Sequence, residues 1–117
     1  MQKLVTSLWF VDCAGEAVNI NVSMFKNSKI KSIEPYSEDG QETDGKVMAI
    51  DFQLEGQDFF AINSSVEFRF SPAISLIVNC ADQAEMDELW NKLAADPNQG
   101  QCGWLEDKYG LSWQIVT

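Results

Sequence analysis

Two kinds of hydrophobic periodicity follow one another along this chain, and the same order occurs twice. Leu4–Val11 is apolar and rich in residues that favour strands, and helical spacing of apolar residues follows over about Ala14–Phe25. Ala73–Asn79 is strand-like again, and helical spacing follows from Asp82 to about Ala95. Because each half begins with a strand and a helix, the 117-residue chain is predicted to be an α+β protein built from two similar units.

Further strands are predicted after each helix. Lys46–Leu54 alternates apolar and polar residues, and Glu55-Gly56 behind it is typical of a two-residue hairpin turn. Ser37–Gly45 is an acidic, glycine-containing loop. The predicted order is therefore β-α-β-β-β followed by β-α-β-β, with one strand of the second unit missing or hidden in Asn98–Gln101. The remaining predicted strands are Lys29–Tyr36, Gln57–Asn63 and the segments around Cys102–Glu106 and Leu111–Val116.

Acidic residues stand next to both predicted helices and next to the last turn. Asp12 precedes the first helix, and Asp82 stands three residues before Glu85, which is the spacing of a capping box. We therefore expect an aspartate to cap each helix. Glu106 and Asp107 lie near a predicted turn, where we expect them to be solvated.

Composition excludes several classes of function. The net charge of −10 argues against binding to nucleic acid and to anionic membrane surfaces, because both need clustered lysine and arginine. The chain has no histidine, which removes the commonest metal ligand and general base. Its three cysteines have no CxxC spacing, and no apolar run approaches the roughly 18 residues of a membrane span. These features predict a cytoplasmic protein with reduced thiols.

The C-terminal segment Gln101–Val116 sets Trp104 and Trp113 around an Asp-Lys-Tyr-Gly turn. It resembles the C-terminal signature of the PhnB-like, or 3-demethylubiquinone-9 3-methyltransferase-like, family of the glyoxalase/bleomycin resistance/extradiol dioxygenase (vicinal oxygen chelate) superfamily. Four further stretches are similar to that family and stand at matching spacings. They are Gly15–Val18, Gly45–Asn63, Phe68–Ser75 and Leu89–Leu93.

The resemblance implies paired βαβββ modules that form a curved, mostly antiparallel sheet with the helices on its outer face. It implies one domain over residues 1–117, with a first unit of about 1–65 and a second of about 72–117. It also implies a homodimer, and open sheet edges with half-covered apolar surface point the same way.

Alternation along the strands predicts which side chains face the helices. The set that includes Trp9, Phe60, Leu76 and Trp113 is almost entirely large and apolar, so we expect it to pack under the helices. The opposite set mixes apolar and small polar residues and is expected to line a small-molecule pocket on the concave face. Its predicted ligand-binding residues are Asn63, Ser75 and Gln114 as polar contacts, with Thr6, Leu8, Phe10, Met48, Phe52 and Phe59 around them.

The resemblance places the metal ligands of metal-dependent relatives at Thr6, Asn63, Ser75 and Gln114. These residue types are poor ligands for a divalent metal, so we expect no metal and no cofactor. Asn63 and Gln114 are equally able to satisfy backbone groups at strand ends.

The function predicted from the sequence is a metal-free small-molecule binding protein or weak enzyme with no assigned catalytic residue. Three alternatives stay open. The first is a metal-dependent lyase or dioxygenase, and the second is a methyltransferase, for which no glycine-rich strand-to-helix turn is present. The third is a protein-interaction module that acts through the acidic loop Glu34–Asp44.

Overall fold

A computed structural model of the chain describes residues 2–35, 47–98 and 103–117. Its contacts divide the chain into two compact units, Met1–Phe68 and Arg69–Thr117. The predicted loop Ser37–Gly45 and most of Asn98–Gln101 lie outside the described residues. The assignment of both units to one domain stays a prediction.

The first unit contains a four-stranded sheet in the order β1-β4-β3-β2. β1 and β4 are parallel, whereas the β4-β3 and β3-β2 pairs are antiparallel. The chain therefore crosses with α1 from one edge of the sheet to the other and returns inward through two antiparallel steps. The elements are β1 Thr6–Val11, α1 Ala14–Met24, β2 Lys29–Pro35, β3 Val47–Leu54 and β4 Gln57–Ser64.

The second unit repeats this plan with one strand fewer among its described residues. Its sheet has the order β5-β7-β6, with β5 parallel to β7 and β6 antiparallel to β7. In both units the first strand thus lies parallel to the last, and the order of elements predicted from periodicity is confirmed. The elements are β5 Ser75–Asn79, α2 Gln83–Leu93, β6 Trp104–Glu106 and β7 Ser112–Val116.

The two helices start in different ways. Asp82 Oδ1 accepts a hydrogen bond from the backbone N–H of Glu85 at 2.9 Å, so the predicted cap of α2 is confirmed. The predicted cap of α1 is wrong, because Asp12 stands one residue before the N-cap position and has a left-handed φ of 59°. Asn63 at the end of β4 supplies the acceptor instead, and its Oδ1 lies 3.0 Å from the N–H of Ala14.

The core of the first unit lies between α1 and one face of its sheet. Phe52 and Phe59 are cross-strand partners whose rings stack with centroids 5.5 Å apart. That register follows from the predicted Glu55-Gly56 turn, where both residues have positive φ, as a type I′ turn requires. Large strand side chains here face small helix residues. The buried residues are Leu8, Phe10, Ile50, Phe52, Leu54, Phe59, Ala61 and Asn63 in the strands, and Ala14, Ala17, Val18 and Asn21 in α1.

The predicted choice of faces is wrong in the first unit and agrees with burial in the second. Trp9 and Phe60 lie opposite to the buried set, on the face of the first sheet that α1 leaves uncovered. In the second unit, Trp113 and Ile115 are buried, as are Leu89 and Leu93 of α2. Alternation alone does not identify the covered face of the first sheet, because both faces of β1 carry large apolar side chains.

Candidate functional site

The uncovered face of the first sheet carries an open pocket of about 420 Å³, which we call the first-sheet pocket. Its volume lies within the range that is usual for small-molecule sites. The strand register places Ser7 and Asp51 beside Phe60 on adjacent strands, so these three side chains share one face. The lining residues are Gln2, Val5, Ser7, Lys31, Asp51, Asp58, Phe59 and Phe60.

A β-bulge in β2 builds the polar wall of this pocket. The register with β3 shifts between Ile30 and Ser32, which leaves Lys31 as an extra residue. Ser32 Oγ then donates to Asp51 Oδ2 at 2.9 Å, and Lys31 Nζ donates to Asp58 Oδ1 at 3.2 Å. Because of the bulge, two consecutive side chains reach the same face of the sheet.

Several hydrogen bonds hold Asp58, which lines the pocket. Its Oδ1 accepts from Gln53 Nε2 at 2.9 Å as well as from Lys31. These hydrogen bonds, that of Gln53 first and that of Lys31 second, lower the pKa of the Asp58 carboxyl. The side chain of Gln2 also binds the backbone of Asp58. Its Oε1 accepts from the N–H of Asp58 at 2.9 Å, and its Nε2 donates to the carbonyl of Asp58 at 3.2 Å. Asp58 is therefore held ionised and fixed in place.

The other end of the uncovered face contacts the segment that follows β4. Trp9 Nε1 donates to the carbonyl oxygen of Val66 at 2.9 Å. The Trp9 ring also meets Phe68 edge-on, with centroids 5.0 Å apart. The chain itself thus occupies the Trp9 end, while the pocket lies at the end that contains Ser7 and Phe60.

Most of the predicted site residues of the first unit belong to its core. Leu8, Phe10, Phe52 and Phe59 are buried on the covered face, and Thr6 shares that face by alternation. Asn63 is buried as well, with its Oδ1 committed to the first amide of α1. Of these residues only Phe59 also lines the first-sheet pocket. The side chain of Met48 lies outside the described residues. A ligand-binding role for these seven residues stays a prediction.

Ser75 and Gln114 lie together on the second sheet. Gln114 Nε2 donates to Ser75 Oγ at 2.8 Å, and the parallel pairing of β5 with β7 brings the two strands side by side. Gln114 alternates with the buried Trp113 and Ile115, so it lies on the uncovered face, as predicted. Their role in binding a ligand also stays a prediction.

Sequence reasoning missed the residues that line the first-sheet pocket, although β3 carried a signal for them. On this strand Asp51 and Gln53 alternate with Ile50 and Phe52. The polar pair marks the uncovered face, and the hairpin register assigns Phe60 to that face. The bulge that brings in Lys31 and Ser32 has no comparable signal in the sequence.

A buried carboxylate in the second unit corrects another expectation. Asp107, predicted to be solvated, is only 6% exposed. Its Oδ1 accepts from the N–H groups of Tyr109 and Leu111 at 2.9 and 3.0 Å, and its Oδ2 accepts from Trp113 Nε1 at 2.9 Å. Burial raises the pKa of this carboxyl in spite of those hydrogen bonds. Asp107 thereby fixes the turn between β6 and β7 to the core. The neighbouring Glu106 is exposed, as predicted.

The residues that the resemblance aligns with the ligands of metal-dependent proteins do not fit a divalent metal. Asn63 Oδ1 is engaged by the N–H of Ala14, and the Gln114 amide donates to Ser75. The set offers hydroxyls and amides only, whereas such metals prefer imidazole, thiolate or carboxylate ligands. Within residues 2–35, 47–98 and 103–117, no three His, Cys, Asp or Glu side chains are grouped as a metal site would need.

Over the same ranges, neither helix has the length and hydropathy needed to cross a membrane.

Three solved structures resemble this chain, and the first of them is similar enough to show the family. The PhnB protein from Bacillus cereus is 40% identical, with 98% of each chain covered and a TM-score of 0.83. A protein described as a possible glyoxalase from Bacillus cereus is 7% identical, with 99% of this chain and 100% of that chain covered and a TM-score of 0.58. The fosfomycin resistance protein FosX from Mesorhizobium loti is 10% identical, with 100% and 93% covered and a TM-score of 0.57. The last two show the fold alone, which is the glyoxalase/bleomycin resistance fold.

A search of curated proteins gave no match. The family model described as 3-demethylubiquinone-9 3-methyltransferase matches residues 2–116. The chain therefore belongs to this family, of which the PhnB protein from Bacillus cereus is a 40% identical relative, and it has the glyoxalase/bleomycin resistance fold.

Proposed function

We propose that the protein binds a small organic molecule in the first-sheet pocket without the help of a metal. The observation that carries this proposal is the pocket itself, about 420 Å³ of open space on the uncovered face of the first sheet. Val5 and Phe60 supply apolar surface, and the bulge in β2 adds Lys31 as a polar neighbour. Apolar walls with a few fixed polar groups are the usual make-up of a ligand site.

The lowered pKa of Asp58 favours binding without turnover over acid–base catalysis. Its pKa is lowered by hydrogen bonds from Gln53 and Lys31, so the carboxyl is ionised at neutral pH and cannot donate a proton. The lowered pKa also makes it a weak base, because an effective general base has a pKa near the working pH. Asp58 is therefore proposed to shape the pocket rather than to transfer protons.

In the second unit, Ser75 and Gln114 are proposed as polar ligand contacts, because both lie on the uncovered face of their sheet. In the first unit, the buried position of Phe10, Phe52 and Asn63 favours a role in stability over contact with a ligand.

A fragment screen by two-dimensional amide NMR tests binding in the first-sheet pocket. Fragments with an aromatic ring are expected to shift the amide signals of Ser7 and Phe60 in a saturable way. Phe60→Ala should abolish those shifts. Ile74→Ala, which truncates a 70% exposed side chain in the second unit, should leave them unchanged. Saturable binding that avoids Ser7 and Phe60, or no saturable binding at all, would overturn the proposal.

We also propose that two copies of the chain associate. The uncovered faces of both sheets carry exposed apolar side chains, among them Val11 on the first sheet and Ile77 on the second, which a second copy would cover. Sedimentation equilibrium at micromolar concentration should give the mass of a dimer. A monomer mass over the whole concentration range would refute this.

We do not assign methyl transfer to this chain, although the family description names it. Its two strand-to-helix turns read Val-Asp-Cys-Ala at 11–14 and Asn-Cys-Ala-Asp at 79–82, and neither is the glycine-rich turn that suits a nucleotide. Calorimetric titration with S-adenosylmethionine should give no heat of binding. A saturable heat would restore the methyltransferase hypothesis.

A further inference from the structure

Resting on the proposed function, we propose that the first-sheet pocket selects ligands with a positively charged amine attached to an apolar group. Asp51 is the counter-ion of the amine, and Phe60 is the surface for the apolar group. This inference rests on the charges in the pocket, the register of the strands and the position of Asp51.

The charged residues that line the pocket leave an excess of one negative charge. They are Lys31, Asp51 and Asp58. Lys31 and Asp58 form an ion pair with an N–O distance of 3.2 Å, so they largely neutralise each other. Among the described residues, Asp51 is hydrogen-bonded to the neutral hydroxyl of Ser32. The remaining charge of the pocket therefore lies on Asp51.

Asp51 is fixed in place and can accept further donors. It is half-buried, and Ser32 Oγ donates to its Oδ2 at 2.9 Å. An ionised carboxylate has about four acceptor sites on its two oxygens, so one hydroxyl leaves most of them available. An ammonium group carries up to three donors and no acceptor, which matches this surface.

The strand register places an aromatic ring next to this charge. Asp51 and Phe60 are direct partners in the antiparallel pairing of β3 with β4. The Cβ atoms of such partners lie about 5 Å apart on the same face. A ligand whose ammonium group stands one or two bonds from a ring or an alkyl group would contact both side chains at once. An ammonium held over the face of the ring would gain cation–π attraction as well.

Anionic ligands are disfavoured by the same arrangement. Lys31, the cation of the pocket, is already bound to Asp58. A carboxylate ligand would have to break this ion pair or approach Asp51. The net charge of −10 on the whole chain adds a long-range repulsion in the same direction.

Three probes of the same size test this selectivity, namely benzylamine, benzyl alcohol and benzoate, which are cationic, neutral and anionic at neutral pH. Each is titrated into the protein, and the amide signals of Ser7 and Phe60 are followed by NMR. We expect benzylamine to bind about ten-fold more tightly than benzyl alcohol, as one charge-assisted hydrogen bond implies. Benzoate should bind most weakly.

Asp51→Asn should remove the preference for benzylamine, since it keeps the shape of the side chain and removes its charge. Asp87→Asn is the matched control, because it removes one charge from an exposed position on α2. A preference that survives Asp51→Asn, or that is lost in Asp87→Asn, would overturn the role of Asp51.

The outcomes separate this inference from the proposed function. Equal binding of benzylamine and benzyl alcohol at Ser7 and Phe60 would overturn the amine selectivity and leave pocket binding intact. Failure of all three probes to shift these amides would overturn amine selectivity, and the fragment screen then decides whether the pocket binds anything.

Discussion

The two units share one plan of strands but begin their helices differently. In the second unit, Asp82 caps α2 from the adjacent turn, by a hydrogen bond that spans three residues. In the first unit, Asn63 caps α1 from the end of β4, 49 residues away from the amide of Ala14. A local cap can be recognised in the sequence, whereas a remote cap depends on the strand pairing and becomes visible only in the folded chain.

The large side chains of the two cores come from different elements. In the first unit the large side chains lie on the sheet, and the helix contributes small residues such as Ala14 and Ala17. In the second unit the helix contributes Leu89 and Leu93, and the sheet contributes Trp113. A helix of small residues needs a face of large ones opposite to it, because protein interiors are close-packed.

The uncovered faces differ in charge as well. The first carries Lys31, Asp51 and Asp58 around an open pocket. The second carries neutral side chains at its centre, where Gln114 donates to Ser75. The proposed amine site therefore belongs to the first unit, whereas Ser75 and Gln114 of the second unit would offer a ligand neutral contacts.

Phe52→Ala should produce the largest loss of stability. A small loss would contradict the comparison of the two units most clearly. The side chain is 0% exposed and stacks on Phe59, so its removal should cost about 3–5 kcal/mol of the free energy of unfolding. Urea denaturation measures this cost. Phe60→Ala on the opposite face should cost much less. Equal costs would mean that the covered face of the first sheet has been misassigned.

Leu89→Ala tests the helix core of the second unit. Leu89 is 3% exposed, and the cavity left by its removal should cost about 2–5 kcal/mol. An unchanged denaturation midpoint would show that α2 is not docked through its leucines.

Asp107→Asn should cost about 1–3 kcal/mol at neutral pH, because an amide NH₂ replaces the oxygen that accepts from the indole of Trp113. The effect should depend on pH. Burial raises the folded pKa of Asp107 above its ordinary value of 3.8, so the folded state binds the proton more tightly than the unfolded state. The contribution of Asp107 to the free energy of unfolding is then fully present below pH 3.8. It is lost as the pH rises through the raised pKa.

The difference in stability between the native chain and Asp107→Asn should therefore be larger in acid than at neutral pH. Denaturation midpoints of the two proteins over a pH series provide the measurement. A difference that grows as pH rises would contradict the raised pKa.

The two helix caps should give the smallest effects. Replacing either Asn63 or Asp82 with alanine should cost about 0.5–2 kcal/mol. Asn63→Ala should lie at the upper end of that range, because it removes the acceptor of an amide in a buried setting. Equal costs for the two caps, measured by thermal unfolding, would mean that burial adds nothing to the remote cap.

Local patterns in the sequence predicted the elements well. The hairpin at Glu55-Gly56 and the cap at Asp82 each depend on a few adjacent residues, and both are confirmed. The covered face of the first sheet was mispredicted because β1 is apolar on both faces. Asp107 was mispredicted because the acceptor for Trp113 is chosen by packing rather than by local sequence.

The first-sheet pocket was missed for a related reason. Its polar wall depends on a β-bulge at Lys31 and on pairings between four strands, which no single strand specifies. The alternation of Asp51 and Gln53 with apolar neighbours was the one signal that could have identified this face.

A crystal structure with a bound aromatic fragment tests the central claim most directly. The fragment should lie on the uncovered face of the first sheet, in contact with Val5, Ser7 and Phe60, and an amine on it should lie within hydrogen-bonding distance of Asp51. A fragment bound instead among Leu8, Phe10 and Phe52, beneath α1, would contradict the account.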